Sequence, residues 1–177
     1  MDKLMEKLRE RYQRKEPVRL LFVCLGNICR SPAAEELMRQ VVTINGDADR
    51  FELDSAGLYD GHAGQLPDNR MRVHARQRGY SLKHRARQVK SYDFGDFDLI
   101  LAMDGSNYQR LRDMAPTVQD RGKVVMMADF FTEARNKRYD YVQDPYYEGA
   151  EGFELVLDML EDATRELYRA ITLNKEA

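Results

Sequence analysis

The sequence predicts a parallel α/β fold in a single domain. Short apolar runs alternate with segments of helical period, which is the pattern of strands joined by crossover helices. The length of 177 residues is ordinary for one domain, and no internal repeat or low-complexity stretch divides the chain. With 43% apolar and 33% charged residues, the composition is that of a protein that folds around a buried core.

The charge balance and the few cysteines and histidines exclude several classes of protein. The 28 Lys and Arg against 30 Asp and Glu leave a formal charge of -2, whereas a dedicated nucleic-acid-binding domain carries an excess of basic residues. The apolar runs are shorter than the ~20 residues of a membrane helix, and the N-terminus lacks the apolar stretch of a secretory signal. The two cysteines and three histidines lack the spacing of a zinc site or a disulfide framework. We therefore expect a cytoplasmic protein with no metal, no nucleic-acid partner and no membrane attachment.

The first segment is predicted to be a short amphipathic helix that precedes the first strand. Apolar residues recur at helical intervals over residues 2–14, and Pro17 closes the segment. These apolar residues are Leu4, Met5, Leu8 and Tyr12. A helix of mixed charge most often serves packing or an oligomer contact, and the sequence does not specify the oligomeric state. We assign residues 1–17 to an N-terminal helical extension.

The strands are predicted from continuous apolar runs. Residues 18–23 (VRLLFV), 98–103 (DLILAM) and 123–127 (KVVMM) have the apolar content of strands buried on both faces of a parallel sheet. Residues 51–54 predict a shorter strand, which runs into a loop over residues 55–64 rich in Gly and Asp.

Helices are predicted between and after these strands. Their ranges are about 32–42, from beyond 67 to 79, from 104 or 106 through 111, and 151–173. Gly79 stands where a glycine ends a helix, and either Asp104 or Ser106 can cap the third helix. The last range is a long amphipathic helix that closes the fold.

The stretch VCLGNICRSP, from Val23 to Pro32, lies where the first strand ends and the first crossover helix begins. Ligands of parallel α/β folds bind at the carboxyl ends of the strands. Seven residues from Cys24 to Arg30 form the pattern C-x-x-x-x-x-R, and Pro32 stands at a helix-opening position. Gly26 allows the loop to curl, so that successive backbone N–H groups and the helix N-terminus form an anion cradle.

The side chains of this loop fit phosphate chemistry. The planar guanidinium of Arg30 can hold two phosphate oxygens bidentately. The positive field of the cradle favours the thiolate form of Cys24, which is a nucleophile at neutral pH. The alternative is a buried structural cysteine beside a solvated arginine. We favour the functional interpretation because the strand, the Cys-to-Arg spacing, the interior glycine and the Ser-Pro helix start coincide.

Together these features resemble the low-molecular-weight protein tyrosine phosphatases. The resemblance extends over about residues 18–170 and is carried by five segments: VCLGNICRSP, DSAG at 54–57, HRARQV at 84–89, MDGSN at 103–107 and DPYY at 144–147. It implies a three-layer α/β sandwich with a four-stranded parallel sheet, and it makes residues 18–173 the phosphatase domain. It also implies hydrolysis of phosphotyrosine, in a protein or a small aryl phosphate, without a metal or any other cofactor.

The resemblance implies three catalytic residues. Cys24 matches the nucleophile that forms a cysteinyl-phosphate, Arg30 the arginine that stabilises the transition state, and Asp144 the general acid. An acid that protonates the departing phenolate should raise the rate by roughly 10²–10⁴. An Asp-Pro pair alone usually just begins a turn, so its place in DPYY, together with the cradle, supports this role.

The resemblance also implies residues that support the loop. Asn27 matches the asparagine that maintains the strained loop, His84 the histidine that holds this asparagine, and Ser31 the hydroxyl that hydrogen-bonds the thiolate. Without the resemblance, His84 reads as a histidine with a backbone partner. Asp104 either caps a helix or supports Arg30. The remaining phosphate-binding positions of the loop are Leu25, Gly26, Ile28 and Cys29.

Two further features carry alternatives. Cys29 is either a filler of the loop or a redox partner that traps oxidised Cys24 as a disulfide, and the resemblance supports the redox role, with inactivation by peroxide that reduction reverses. Tyr146 and Tyr147 either pack or line the cleft that receives an aromatic ring, and their place beside Asp144 favours the cleft.

This chain departs from the pattern of the family at one position of the cleft. Members usually place Trp or Tyr just before the His of the loop after DSAG, whereas this chain has Gly61 there and contains no Trp. Leu58 or Tyr59 is the substitute wall for the substrate ring.

Three other functions are weighed against phosphotyrosine hydrolysis. Arsenate reductases that resemble these phosphatases use further cysteines downstream, and this chain has none beyond Cys29. Protein-arginine phosphatases typically carry Thr in place of Ile28, and a branched apolar residue suits an aromatic ester better than a phosphoguanidine. An inactive phosphate- or phosphopeptide-binding module would lack the nucleophile or the acid, and both are present.

Overall fold

A four-stranded parallel sheet forms the centre of the molecule, of which the computed structural model describes residues 1–173. The strands are β1 (Val18–Cys24), β2 (Phe51–Gly57), β3 (Leu99–Ala102) and β4 (Val124–Met126). Their order across the sheet is β2-β1-β3-β4, so β1 is paired on both sides. The four predicted strands are all present, and their parallel arrangement confirms the predicted fold class.

Eight helices of the described chain connect and cover the strands. They are α1 (Asp2–Gln13), α2 (Arg30–Ile44), α3 (Asn69–Gln77), α4 (Asp93–Asp96), α5 (Gly105–Met114), α6 (Val118–Arg121), α7 (Ala134–Lys137) and α8 (Ala150–Thr172). The sequence pattern does not predict α4, α6 and α7, because four residues hold too little periodicity to be recognised. Within residues 1–173, no helix combines the length and apolar character needed to cross a membrane.

The sheet is buried on both faces, which makes the fold a three-layer sandwich. Along β1, Leu20 and Phe22 belong to a cluster shared with α1, α2, α3 and α8. Leu21 and Val23 belong to a second cluster shared with α4 and α5. Successive side chains of a strand point to opposite faces, so this central strand is apolar on both faces from Leu20 to Val23.

Strand β2 is longer than the sequence predicts. It continues through Gly57, whereas a loop is expected from Ser55 onward. The extension forms because Ser55 and Ala56 are fully buried and the strand stays in register with β1 up to the pair Gly57 and Cys24. A Cβ at Gly57 would lie 2.8 Å from the carbonyl oxygen of Leu25, so a glycine is needed where this strand passes under the loop after β1.

The N-terminal helix α1 packs on the closing helix α8. Met5 and Leu8 lie in the same hydrophobic cluster as the apolar face of α8, and the exposed fraction of Leu8 is 2%. The Tyr12 hydroxyl donates to a carboxylate oxygen of Asp47 at 2.7 Å. The boundary at residue 17 stays a prediction, but α1 shares its core with the rest of the fold.

The carboxylate of Asp162 on α8 anchors residues 132–136, the segment that precedes the loop over residues 138–149. It accepts hydrogen bonds from the backbone and hydroxyl of Thr132, the backbone of Glu133 and the amide of Asn136. Burial alone would raise the pKa of Asp162, but these donors hold it below its usual value. The segment is therefore anchored through one buried charge.

We predict that Leu8→Ala lowers the free energy of unfolding by about 2–5 kcal/mol, the usual cost of removing a buried leucine side chain. Urea unfolding at neutral pH measures this difference. Leu4→Ala is the matched control on the same helix, and it should cost clearly less because Leu4 is only partly buried. A loss below about 1 kcal/mol for Leu8→Ala would mean that α1 adds little to the core.

Candidate active site

A tight loop between β1 and α2 forms the centre of the site. Cys24 is the last residue of β1 and Arg30 the first residue of α2, so the C-x-x-x-x-x-R pattern spans the strand-to-helix connection. Asn27, at the middle of the loop, has a φ of 55°, a left-handed conformation that is uncommon for residues other than glycine. The chain therefore reverses sharply at the carboxyl edge of the central strand.

The backbone of this loop presents hydrogen-bond donors that the protein itself leaves free. Among the described contacts, the N–H groups from Leu25 to Ser31 have no acceptor. The carbonyls of Leu25 and Ile28 accept from the backbones of Tyr59 and Asp68 in neighbouring segments. Backbone N–H groups are rarely left without a partner. A run of free donors next to a helix N-terminus is suited to a tetrahedral oxyanion.

The side-chain amide of Asn27 makes four hydrogen bonds behind the loop. Its Oδ1 accepts from the backbone N–H of Arg87 at 3.0 Å, which sets the orientation of the amide, and from Nε2 of His84 at 2.9 Å. Its Nδ2 donates to the hydroxyls of Ser31 at 2.7 Å and Ser55 at 3.1 Å. The amide thus joins the loop, strand β2 and the segment before α4.

The hydroxyl of Ser31 is placed to serve the sulfur of Cys24. The Oγ to Sγ distance is 3.1 Å, and Ser31 Oγ already accepts a hydrogen bond from Asn27. The hydroxyl proton of Ser31 can therefore point at the sulfur, which is closer than its other acceptor, the carbonyl oxygen of Ala56 at 3.5 Å. A hydrogen bond to the charged form of a group favours that form, so this contact stabilises a thiolate.

A cluster of ionisable groups lies on the far side of Asn27. Nδ1 of His84 is 3.3 Å from a carboxylate oxygen of Glu35 and 3.5 Å from one of Asp54. The donor atoms of the three side chains lie within 4.8 Å of one another, a spacing that a cation could bridge. However, Glu35 accepts from the Ser55 hydroxyl at 2.8 Å and Asp54 from the Arg87 guanidinium at 3.1 Å, so both carboxylates are committed to the network that holds the loop.

The guanidinium of Arg30 is almost completely buried, with 3% of the side chain exposed. It donates to the carboxylate of Asp104 at 2.7 Å and to the carbonyl of Val142 at 3.0 Å. Burial would lower the pKa of Arg30, but the negative charge of Cys24 and the hydrogen bond to Asp104 raise it above its usual value. The arginine is therefore held as a cation under the loop.

Asp104 combines the two roles that the sequence leaves as alternatives. One carboxylate oxygen accepts from the backbone N–H of Asn107 at 2.8 Å and caps α5, and the other accepts from Arg30. The residue stands two positions after the end of β3, the strand next to β1 in the sheet. Because β1 and β3 are parallel neighbours, Asp104 at the start of α5 lies beside Arg30 at the start of α2.

Asp144 reaches the same place from the loop over residues 138–149. Its Oδ2 lies 3.6 Å from Nη2 of Arg30, its Oδ1 accepts from the backbone N–H of Tyr146 at 3.0 Å, and 46% of the side chain is exposed. The loop is anchored by a backbone hydrogen bond from Val142 to Met103, the residue that follows β3. The carboxylate is thus positioned at the mouth of the site and not within the core.

A cavity of about 220 Å³ opens above the loop. Its lining includes the residues that the sequence predicts for the phosphate site and for the cleft: Cys24, Leu25, Gly26, Ile28, Cys29, Arg30, Tyr59, Asp144, Tyr146 and Tyr147. Leu58, the other suggested wall, is buried in the second hydrophobic cluster instead. Asn27, Ser31 and His84 stand behind the cavity, where support residues are expected.

Sequence reasoning misses three residues of the site. His62 lines the cavity, Ser55 bonds to Asn27, and Glu35 faces His84. A signal existed for Glu35, which is a carboxylate on the otherwise apolar side of α2. None existed for His62, because the course of an exposed loop cannot be read from its composition.

The two cysteines of the loop are both free and buried, with exposed fractions of 3% and 4%. Burial raises the pKa of the Cys29 thiol far above its usual value, and the nearby negative charges of Asp68 and Cys24 act in the same direction. Cys29 is consequently a neutral thiol at physiological pH.

A parallel α/β sheet whose central strand ends in an anion cradle with a cysteine at its base defines a cysteine-dependent phosphatase. The family model described as low molecular weight phosphotyrosine protein phosphatase matches residues 19–177, and the chain belongs to that family. This confirms the family that the sequence motifs predict.

Three relatives illustrate the similarity. The chain is 40% identical to the low molecular weight protein-tyrosine-phosphatase of Streptomyces coelicolor, over 86% of this chain and 93% of the relative. A crystal structure of protein tyrosine phosphatase from Entamoeba histolytica is similar with a TM-score of 0.81 and 46% identity, over 85% of this chain and 94% of that one. A drosophila arginine phosphatase structure has a TM-score of 0.81 and 30% identity, over 88% and 99% of the two chains.

Proposed function

We propose that this protein hydrolyses phosphotyrosine in proteins, and small aryl phosphates, by passing the phosphoryl group first to Cys24 and then to water. Membership of the family makes the chain a low molecular weight protein-tyrosine-phosphatase, as the sequence predicts. The observation that carries the proposed mechanism is that Cys24, Arg30 and Asp144 line one cavity beside a loop whose backbone N–H groups have no acceptor among the described contacts. Two unpaired cysteines fit a reducing cytoplasm.

In the first step the thiolate of Cys24 attacks phosphorus, and the bond from phosphorus to the phenolic oxygen breaks. The backbone N–H groups and Arg30 bind the three equatorial oxygens, where negative charge is spread in the transition state. Asp144, in its acid form, donates a proton to the departing phenolic oxygen. The products are tyrosine and a cysteinyl-phosphate.

In the second step a water molecule replaces the phenol. The carboxylate of Asp144 takes a proton from this water, its oxygen attacks phosphorus, and the sulfur–phosphorus bond breaks. The Ser31 hydroxyl donates to the departing sulfur, which it faces at 3.1 Å. Inorganic phosphate then leaves, and the thiolate and the protonated Asp144 are restored.

The lining of the cavity favours an aromatic ester over a phosphoguanidine. Ile28 contributes an apolar surface, and Tyr59 and Tyr146 add aromatic ones. A guanidinium leaving group would need hydrogen-bond acceptors beside the cradle, and an apolar branched side chain at position 28 provides none. The structural similarity to an arginine phosphatase is therefore outweighed by the residues that line the cavity.

We expect Cys24→Ser to abolish hydrolysis of p-nitrophenyl phosphate, because a hydroxyl is a far weaker nucleophile than a thiolate. Cys29→Ser is the matched control on the same loop and should retain activity. Initial rates at neutral pH measure both. Measurable turnover by Cys24→Ser close to that of the unmodified protein would refute the covalent mechanism.

Replacing Asp144 should slow hydrolysis more when the leaving phenol has a higher pKa, because a more basic phenolate departs less readily without a proton. Asp144→Ala should reduce kcat for phosphotyrosine by roughly 10²–10⁴, and much less for an aryl phosphate with a strongly acidic phenol. Asp140→Ala, which removes an exposed carboxylate of the same loop, is the control. An equal loss on both substrates would show that Asp144 is not the proton donor.

The position of Cys29 also supports a redox role. Peroxide would convert the Cys24 thiolate to a sulfenic acid, and the neutral Cys29 thiol would condense with it to a disulfide and water. After prolonged exposure to peroxide, we expect dithiothreitol to restore most activity of the unmodified protein. It should restore little activity in Cys29→Ser, because Cys24 then lacks a disulfide partner and is oxidised further to the irreversible sulfinic acid. Equal recovery in both proteins would contradict the protective role.

A further inference from the structure

A second cavity lies at the opposite edge of the sheet from the cradle. Its volume is about 480 Å³, and its lining includes Asp98 and Lys123, which directly precede β3 and β4. Cys24, in contrast, is the last residue of β1. Because the strands are parallel and rise about 3.3 Å per residue, the length of β1 separates the two edges by about 20 Å. The proposed mechanism uses no residue of this second cavity.

Helix α1 forms one side of the cavity, and the segment before β4 forms another. Lys3, Lys7 and Arg11 recur at intervals of four residues, so they share one face of α1, and Arg14 follows one turn later. The rise of a helix places successive charges of this row about 6 Å apart along the cavity. The family model begins at residue 19, so this side of the cavity is built by a segment outside the family match.

The lining of the cavity carries more positive than negative charge. It includes two carboxylates, Glu10 and Asp98, and five cationic side chains: Lys3, Lys7, Arg11, Arg14 and Lys123. Asp98 is already neutralised, because Arg19 donates to its two oxygens at 3.0 and 3.3 Å and Arg11 lies 3.3 Å from one of them. The cavity is therefore suited to an anion.

Lys3 and Lys7 are the cations of the lining whose charge is left for a ligand. Arg11 and Arg14 lie 3.3 and 3.2 Å from the carboxylate of Glu16, whereas the two lysines are exposed and their side chains have no ion pair or hydrogen bond with residues 1–173. Two like charges four residues apart repel each other, and a cation in the first turn opposes the helix dipole. A bound anion would relieve both effects.

We propose that this cavity, which we call the α1 groove, binds an extended acidic segment of a partner protein. The groove is defined by its five cationic side chains: Lys3, Lys7, Arg11, Arg14 and Lys123. Alternate residues of an extended chain point to the same side about 6.6–6.8 Å apart, which is close to the spacing of about 6 Å between the cations of α1. Carboxylates at alternate positions can therefore each face one cation.

The shape and the place of the α1 groove agree with this occupant. Cations on two sides of a concave cavity suit a chain that enters it, whereas a flat lipid surface would meet only the outer rim. The groove lies at the far edge of the sheet from Cys24, so a bound segment leaves the cradle open. The α1 groove would thus hold a partner without competing with phosphate.

Fluorescence anisotropy of a labelled peptide that alternates Glu and Ser tests the proposal on the full chain. The peptide should bind at low ionic strength and more weakly as salt is added, whereas a peptide that alternates Gln and Ser should not bind. The double variant Lys3→Gln/Lys7→Gln should weaken binding of the acidic peptide about 2- to 30-fold, the range for losing two exposed ion pairs. Urea unfolding checks that this variant remains folded.

Two further double variants separate the α1 groove from the overall charge. Lys83→Gln/Lys137→Gln removes the same charge from exposed lysines outside the groove and should leave the affinity nearly unchanged. Lys3→Arg/Lys7→Arg keeps the charge and should retain binding. The absence of peptide binding at low salt, or an equal loss in the two Gln variants, would overturn the proposal. Tighter binding of a single-stranded oligonucleotide of equal charge, or of vesicles of anionic phospholipid, would also overturn it. Since binding is measured without turnover, the result does not depend on the proposed catalytic mechanism.

Discussion

The left-handed turn at Asn27 is the constraint on which the rest of the site depends. A residue other than glycine in this conformation costs about 1–3 kcal/mol. The four hydrogen bonds of its amide contribute roughly 0.5–1.5 kcal/mol each, which is enough to offset that cost. These hydrogen bonds hold the loop in its turn, and the N–H groups from Leu25 to Ser31 have no acceptor among the described contacts. The cradle is therefore organised by the interior of the protein, through Ser55 and His84.

The charges of the site are arranged by the order of the strands. Arg30 starts the helix after the central strand, and Asp104 follows the neighbouring strand. Because both strands end at the same edge of the sheet, the two side chains meet without a long connecting loop. A buried guanidinium without a partner would be strongly destabilising. With Asp104 and the Val142 carbonyl as acceptors on Nη1, the cation remains charged under the cradle, and its Nη2 lies 3.6 Å from Asp144. Asp144 is thus near enough to act on the same substrate and exposed enough to exchange protons with water.

The parts of the molecule that the sequence predicts are those governed by local pattern. Apolar runs identify the strands. The cradle can be recognised in the sequence because its residues are contiguous in VCLGNICRSP. Strand β2 extends beyond its apolar run because Ser55 is buried by partners elsewhere in the chain, which no local pattern records. The four hydrogen bonds of Asn27 and the second function of Asp104 are likewise products of folding. The resemblance to a family supplies His84 and Asp144, which spacing alone does not.

The nucleophile of the cradle and the loop residues that support it are buried, whereas an aromatic residue of the cavity wall lies on an exposed loop. The wall can therefore change without a change in the cradle. Cys24, Ser31 and Asn27 are buried, and a change in any of them disturbs several contacts at once. Tyr59, in contrast, is 53% exposed on a loop whose backbone is tied to the cradle at Leu25. An aromatic ring can therefore come from a different position of this loop without moving the nucleophile, provided that the space it enters is empty. Gly61 satisfies that condition for Tyr59, because a side chain at position 61 would overlap the tyrosine ring.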